Sequence, residues 1–262
     1  MDLLDEIISK KRQRIESAKG LVSFEQMFAK AAKARVRATP HALLSALLEG
    51  EEIKIIAEFK RRSPSRGMIR ADAEPATIAQ CYKVGGAAAI SVLTEEDYFD
   101  GSLDDLRSVK EAVDLPVLRK DFIVEEYQLY EAAAAEADAI LLIAAALNDD
   151  SLVQLRQLAE DQLEMDALVE VHSKDEMRRA AACGATLIGV NNRNLRTFLV
   201  SLETSLELAA EAPPDAVLVS ESGLHDVSDL RRLRKVGYRG FLIGESLMRA
   251  EKPDEAVRQL RE

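Results

Sequence analysis

The stretch Ile55–Gly67 reads IIAEFKRRSPSRG and changes character halfway along. Its first half has the pattern of a buried strand; its second half is a polar, turn-forming loop crowded with cations. Side chains on a strand alternate faces, so Ile56, Glu58 and Lys60 share one side while Ala57 and Phe59 share the other. An acid and an amine therefore stand side by side where the strand runs out. Ser63-Pro64-Ser65 turns the chain, and Gly67 frees it to turn again. Two readings follow: an ion pair closing the end of a sheet, or a site for an anionic substrate at a strand's C-terminal end.

Seven further runs share the texture of that first half. They are AAISVLT (88–94), PVLRKD (116–121), ADAILLIA (137–144), DALVEV (166–171), TLIGVNN (186–192), AVLVSES (216–222) and RGFLIGES (239–246). Each is short, rich in Ile, Val and Leu, and nearly continuous in apolarity, as strands covered on both faces are. Amphipathic helix candidates lie between them: Thr77–Val84, Leu103–Val113, Glu125–Ala135, Asp150–Leu163 and Val227–Val236. Gly85-Gly86, Gly184 and Gly237 stand where helices should end. Eight strand–helix units in 262 residues predict an α/β fold, a (β/α)8 TIM barrel. The alternative, a doubly wound open sheet, normally carries G-x-G-x-x-G after its first strand, and KRRSPSRG is not that.

Ahead of the first run, residues 1–50 read as helical, with apolar stripes at Leu3, Leu4, Ile7 and Ile8, at Phe24, Met27 and Phe28, and at Leu43, Leu44, Leu47 and Leu48. They predict an N-terminal helical extension to a single barrel domain spanning 54–262. The basic run Lys10–Arg14 reads as a solvated helix face. MDLLDEIISKKRQRI lacks a signal peptide's apolar core, and no apolar run approaches a membrane span. A net charge of -11 argues against general binding to nucleic acid or anionic membrane. Any anionic ligand then needs a local basic cluster, and Lys60, Arg61, Arg62 and Arg66 form one. Cys81 and Cys183 read as reduced thiols, which predicts a cytoplasmic protein.

Barrel sites assemble at the C-terminal ends of the strands. Those ends carry Glu58 and Lys60, Ser91 and Thr94, Lys120 and Asp121, Glu170 and His172, Asn191, Asn192 and Arg193, Glu221, Ser222 and Gly223, and Gly244, Glu245 and Ser246. Strand four alone ends apolar, at Ile143 and Ala144. Parity puts Glu170 with Leu168, and Glu221 with Val219, on the inward face. Two lysines beside several carboxylates predict shifted proton affinities, with a lysine donating near neutral pH and a glutamate as its partner base. A Schiff-base role for Lys120 is the rival. Glycines in SESGL and LIGES let backbone N–H groups approach a phosphate, or serve merely as turns. Glu245 beside a phosphate is repulsive, so its side chain should point away while its N–H contributes. His41 and His225 read as surface or cap residues, His172 as a bystander beside Glu170 or a group that tunes it, and Tyr98 and Phe99 as cover for the mouth's edge.

Taken together, IIAEFKRRSPSRG, SVLTEEDYFDGS, LPVLRKDFIVEEYQLYEA, ADAILLIAAAL, GVNNRNL, SESGL and FLIGESLM resemble the indole-3-glycerol phosphate synthase family, in that family's order and over essentially the whole chain. The resemblance implies a carboxy-lyase of tryptophan biosynthesis that uses no metal or organic cofactor. It converts 1-(2-carboxyphenylamino)-1-deoxyribulose 5-phosphate to indole-3-glycerol phosphate, carbon dioxide and water. It further implies that the extension lies over the barrel mouth. By the same resemblance Lys120 is the general acid for ring closure, Glu170 the proton partner in dehydration, Glu58 and Lys60 the first-strand pair, and Asn191 an orienting group. Glu221 and Ser222 match the seventh-strand pair; Ser63, Gly223, Gly244 and the Glu245 backbone match the phosphate site. Arg193 matches the arginine beside the substrate's aromatic carboxylate. Glu245 departs from the small hydroxyl residue of some relatives. Phe122 is expected against the aromatic ring, and a monomer with a small phosphorylated substrate as its partner is expected. Competing functions are a related phosphosugar isomerase or aldolase, and a catalytically silent barrel that only binds.

Overall fold

The computed structural model describes residues 3–194 and 197–262; Met1, Asp2 and Leu195, the last residue of GVNNRNL, lie outside them, as does Arg196. Eight parallel strands close into a barrel: β1 (Lys54–Phe59), β2 (Ala89–Leu93), β3 (Val117–Lys120), β4 (Ala139–Ile143), β5 (Asp166–Val171), β6 (Leu187–Asn191), β7 (Val217–Glu221) and β8 (Tyr238–Ile243). Each pairs with its neighbours in sequence, and β8 closes on β1. The continuous apolar runs are explained by this closure, because each strand faces side chains inside the barrel and helices outside. Inside sit Ile56, Leu118, Leu141, Leu168, Leu187, Val219 and Leu242; outside, Ile55, Val92, Ile140 and Val169 pack under the helices.

Three helices precede the barrel: α1 (Leu3–Leu21), α2 (Phe24–Arg35) and α3 (Ala42–Leu48). Around it run α4 (Pro75–Gly85), α5 (Leu103–Ala112), α6 (Glu126–Ala134), α7 (Asp149–Gln157), α8 (Lys174–Ala182), α9 (Glu203–Ala209), α10 (Val227–Arg234), α11 (Glu245–Arg249) and α12 (Pro253–Arg261). Their starts follow side-chain capping: Ser102, Asn148, Ser173 and Asp226 each accept a first-turn backbone N–H. The single helix expected over Asp150–Leu163 instead ends as α7, followed by a wider turn at Leu158–Gln162 in which the Leu163 N–H reaches back to the Leu158 carbonyl.

Of the extension expected over the mouth, only α1 reaches it. Helix α2 lies on the flank, where Phe24 and Phe28 pack edge-on to Tyr130 of α6. Helix α3 plugs the opposite end: Leu43 and Leu47 join the barrel interior, and the Leu44 N–H donates to Asp166 at the start of β5 (2.9 Å). The extension thus straps the barrel from rim to floor.

The basic run of α1 is a solvated face at Lys10, Arg12 and Arg14, but not at Lys11. Ile7, Lys11 and Ile15, spaced four apart, all point inward, and Lys11 is 3% exposed. Its ammonium lies 2.7 Å from Glu96 and 2.9 Å from Asp121, and Arg14 makes a two-pronged contact with Asp97. Burying an ammonium is tolerable only with such partners. Among the described residues, no helix is long and apolar enough to cross a membrane.

Candidate active site

Barrel register decides which strand ends meet. From Glu58 the hydrogen-bonded ladder leads through Ser91, Leu118 and Ala139 to Asp166. Strands in such a barrel are tilted, so a level layer of inward side chains climbs along the sequence from strand to strand. Lys120 lies two residues beyond Leu118, and Glu170 four beyond Asp166, which lifts both level with Glu58. Glu221, of β7, completes the layer from alternate strands. The layer beneath is Ile56, Leu118, Leu168 and Val219. The uppermost layer of this barrel is therefore charged where the next is aliphatic.

Within it, the Lys120 Nζ donates to Glu170 Oε2 at 2.8 Å and lies 3.0 Å from Glu221 Oε2. Glu170 and Glu221 are each 2% exposed. Lys60, one turn of the pleat above Glu58, is paired with it. Two glycines make the room. A Cβ on Gly189 would fall 2.3 Å from Glu221 Oε1, and one on Gly244 would fall 2.3 Å from Glu58 Oε1. Gly189 escapes sequence reasoning focused on polar strand ends, although an inward glycine within a strand is itself a signal of close approach.

Burial and the surrounding charges set the protonation of this layer. Burial disfavours the charge on Lys120, but Glu170, Glu221 and Glu58 outweigh it and hold the ammonium above the ordinary lysine range. This corrects the expectation of a lysine poised near neutral pH: the carboxylates outnumber the amines. The group driven toward neutrality is Glu221, whose carboxyl is pushed up to about 7 by burial, with Lys120 opposing and Glu170 adding to the rise. Glu170 goes the other way; burial raises it, and Lys120 and His172 pull it below the usual carboxylate range.

Above this layer opens a cavity of about 470 Å³. Every candidate residue lines it: Glu58, Lys60, Ser63, Lys120, Phe122, Glu170, Asn191, Arg193, Glu221, Ser222, Gly223, Gly244 and Glu245. One wall is apolar, formed by Phe122, by Phe99 with its ring centre 6.2 Å from that of Phe122, and by Leu3, Leu4 and Ile7 of α1. The opposite wall is small and polar, with Ser63, Ser222, Gly223 and Gly244. Ser222 and Gly223 both adopt positive φ, at 66° and 74°. For a serine that conformation costs about 1 kcal/mol, and the buried Asn192 amide braces it by donating to the carbonyls of Glu221 and Ser222 (3.1 and 3.0 Å).

The first loop's basic cluster divides. Lys60 and Arg66 face the cavity, whereas Arg61 is tied to Asp105 (2.6 and 2.9 Å), and Arg62 does not line the cavity. The Glu245 carboxylate is set between Arg66 (3.4 Å) and Arg249 (3.1 Å), which balance its charge. Tyr98 donates to Glu6 of α1 at 2.7 Å, so the loop after β2 and the extension hold each other. Sequence reasoning missed Lys11, whose spacing from Ile7 and Ile15 places it on the apolar face and could have shown its burial.

Among solved structures, the fold resembles a thiamine phosphate pyrophosphorylase from Pyrococcus furiosus (TM-score 0.61, 18% identity, covering 80% of this chain and 94% of that one). It also resembles a mandelate oxidase mutant (TM-score 0.59, 15% identity, covering 89% and 82%). At such identities the likeness concerns architecture alone. Sequence relatives are much nearer. An indole-3-glycerol phosphate synthase of Chloroherpeton thalassium is 48% identical over 255 residues, 96% of each chain. One of Bacteroides thetaiotaomicron is 44% identical over 257 residues, 98% of this chain and 96% of its own. The profile of the same family matches residues 4–260. The charged barrel layer, the cavity above it and these relatives agree: the chain belongs to the indole-3-glycerol phosphate synthase family.

Proposed function

We propose that the layer of Glu58, Lys120, Glu170 and Glu221 carries out the family's reaction on 1-(2-carboxyphenylamino)-1-deoxyribulose 5-phosphate. The ring carbon bearing the carboxylate attacks the ketone, carbon dioxide leaves and restores aromaticity, and loss of water completes the indole. Lys120 gives its proton to the oxygen of the ketone during closure, because a developing alkoxide is more basic than any lysine. Glu170 takes the proton released in dehydration, and Lys60, paired with Glu58, is the second acid, assisting departure of the hydroxyl. Asn191 and Glu221 orient substrate hydroxyls and Lys120. The aromatic ring lies against Phe122 and the α1 leucines, with Arg193 toward its carboxylate. The phosphate rests on Ser63, Ser222, Gly223, Gly244 and the Glu245 backbone. All these groups come from one chain, which suits a monomer, and the two free cysteines suit the cytoplasm.

The observation that carries the reading is Lys120, held charged between Glu170 and Glu221 at the cavity floor. A Schiff-base aldolase needs a neutral amine for attack, and three carboxylates oppose that here. The test is product fluorescence with authentic substrate. Lys120→Ala should lower kcat at least about 10³-fold while substrate still binds, and Glu170→Gln should lower it comparably. Near-wild-type rates in both variants would overturn the assignment. Borohydride trapping of an adduct on Lys120 would favour the aldolase.

A further inference from the structure

Past Glu170 the end of β5 continues Val171-His172, and strand parity returns His172 to the side of Glu170. Glu170 uses Oε2 for Lys120, and its Oε1 faces His172 Nε2 at 3.4 Å. That nitrogen is buried and makes no hydrogen bond. On the ring's other side Nδ1 lies 3.3 Å from Glu176 Oε2, in the first turn of α8, and the same oxygen accepts the His172 backbone N–H at 2.9 Å. The backbone bond fixes Glu176 against the ring. Glu176 is 19% exposed in its side chain, so it touches both the imidazole and water. Lys120, Glu170, His172 and Glu176 thus form a string from the cavity floor to the surface.

The proposed reaction gives this string a task. Ring closure takes one proton for the ketone oxygen and dehydration takes a second for the leaving hydroxyl. Only one returns, from the carbon that becomes part of the indole double bond; the carboxylate leaves as carbon dioxide without a proton. Each turnover therefore consumes one proton from water, in a layer whose carboxylates are only 2% to 4% exposed. We propose that His172, backed by Glu176, is the relay that returns this proton to the Lys120–Glu170 pair. The imidazolium Nε2–H bond breaks and a Glu170 Oε1–H bond forms, with the electron pair left on nitrogen. Glu170 passes the proton to the neutral Lys120 amine, and a flip of the neutral ring, which still carries its Nδ1 proton, turns the bare Nε2 toward Glu176, where solvent reprotonates it. A small ring rotation brings the 3.4 Å gap into the hydrogen-bond range. The groups facing the imidazole are Glu170 of β5, Glu176 of α8 and Glu221 of β7; burial opposes its charge, but together they hold it above the ordinary histidine value.

This relay rests on the reaction proposed above, and the test separates the two. His172→Gln keeps an amide that can bond both glutamates but shuttles no proton. It should lower kcat about tenfold with KM within about twofold, and added imidazole should restore part of the rate. Glu176→Gln keeps the backbone bond and removes the charge that favours imidazolium, so the alkaline limb of its kcat profile should move to lower pH. A His172→Gln enzyme at wild-type kcat, a loss that imidazole does not recover, or an unmoved alkaline limb in Glu176→Gln would overturn the relay. Wild-type enzyme that forms no indole-glycerol phosphate would instead defeat the reaction itself.

Discussion

Replacing Gly189 by alanine tests the site without removing any polar group. The added methyl would stand 2.3 Å from Glu221 Oε1 and 3.3 Å from a methyl of Leu168. Ordinary contact requires the Glu221 carboxylate to withdraw by about 1 Å, and a displacement of that size at a reacting centre costs about 10²-fold in rate. Withdrawal also breaks its 3.0 Å contact with Lys120. The atom to be moved is the end of a flexible side chain, so folding should suffer less, by about 1 kcal/mol, at the low end for overpacking. Steady-state kinetics and urea unfolding of Gly189→Ala should then separate: kcat down about 10²-fold, midpoint little changed. A variant with kcat within about twofold of wild type would refute the claim that Glu221 must occupy its observed position.

Other outcomes follow from the same geometry. Glu221→Gln should be inactive yet more stable than wild type at pH 8, by about 2 kcal/mol, because a carboxyl pushed up to about 7 costs stability as pH rises from its unfolded value through 7. That advantage should vanish below about pH 5 in denaturant titrations, and equal stability at pH 8 would contradict it. Glu170 has the opposite sign: its lowered proton affinity stabilises the fold above the unfolded carboxyl value of about 4.5 and is lost as pH falls through the folded one. Lys120→Met should abolish that acid-side loss, and an unchanged acid profile would argue against the pair. Lys11→Met leaves Glu96 and Asp121 without their shared ammonium, although Arg119 and Thr94 still serve Asp121. It should cost about 2 kcal/mol in urea and speed proteolysis of α1, while raising KM as Leu4 and Ile7 leave the apolar wall; an unaltered midpoint would show that α1 is held otherwise.

Strand and helix order was legible in the chain because both periodicities are local. A strand buried on two faces needs an unbroken apolar run, and a barrel helix needs its stripe, whatever lies elsewhere. Side-chain parity is equally local, so Glu58, Glu170 and Glu221 could be set on inward faces before any fold was known. Charge is different. Lys11 lies in a run of cations, yet one of its partners, Glu96, is 85 residues away, and only packing turns an exposed-looking lysine into a buried clasp. Likewise the tilt of the closed sheet puts Lys120 between two carboxylates and thereby favours its charged form, where the strand ends alone suggested a lysine donating near neutral pH. The division of the basic loop, with Arg61 claimed by Asp105 and Arg66 by Glu245, has the same origin. Residue type and spacing determined which groups this protein can bring to its barrel rim; three-dimensional proximity decided their proton states and their partners, because electrostatic energy depends on distance in space and on burial, neither of which runs along the chain.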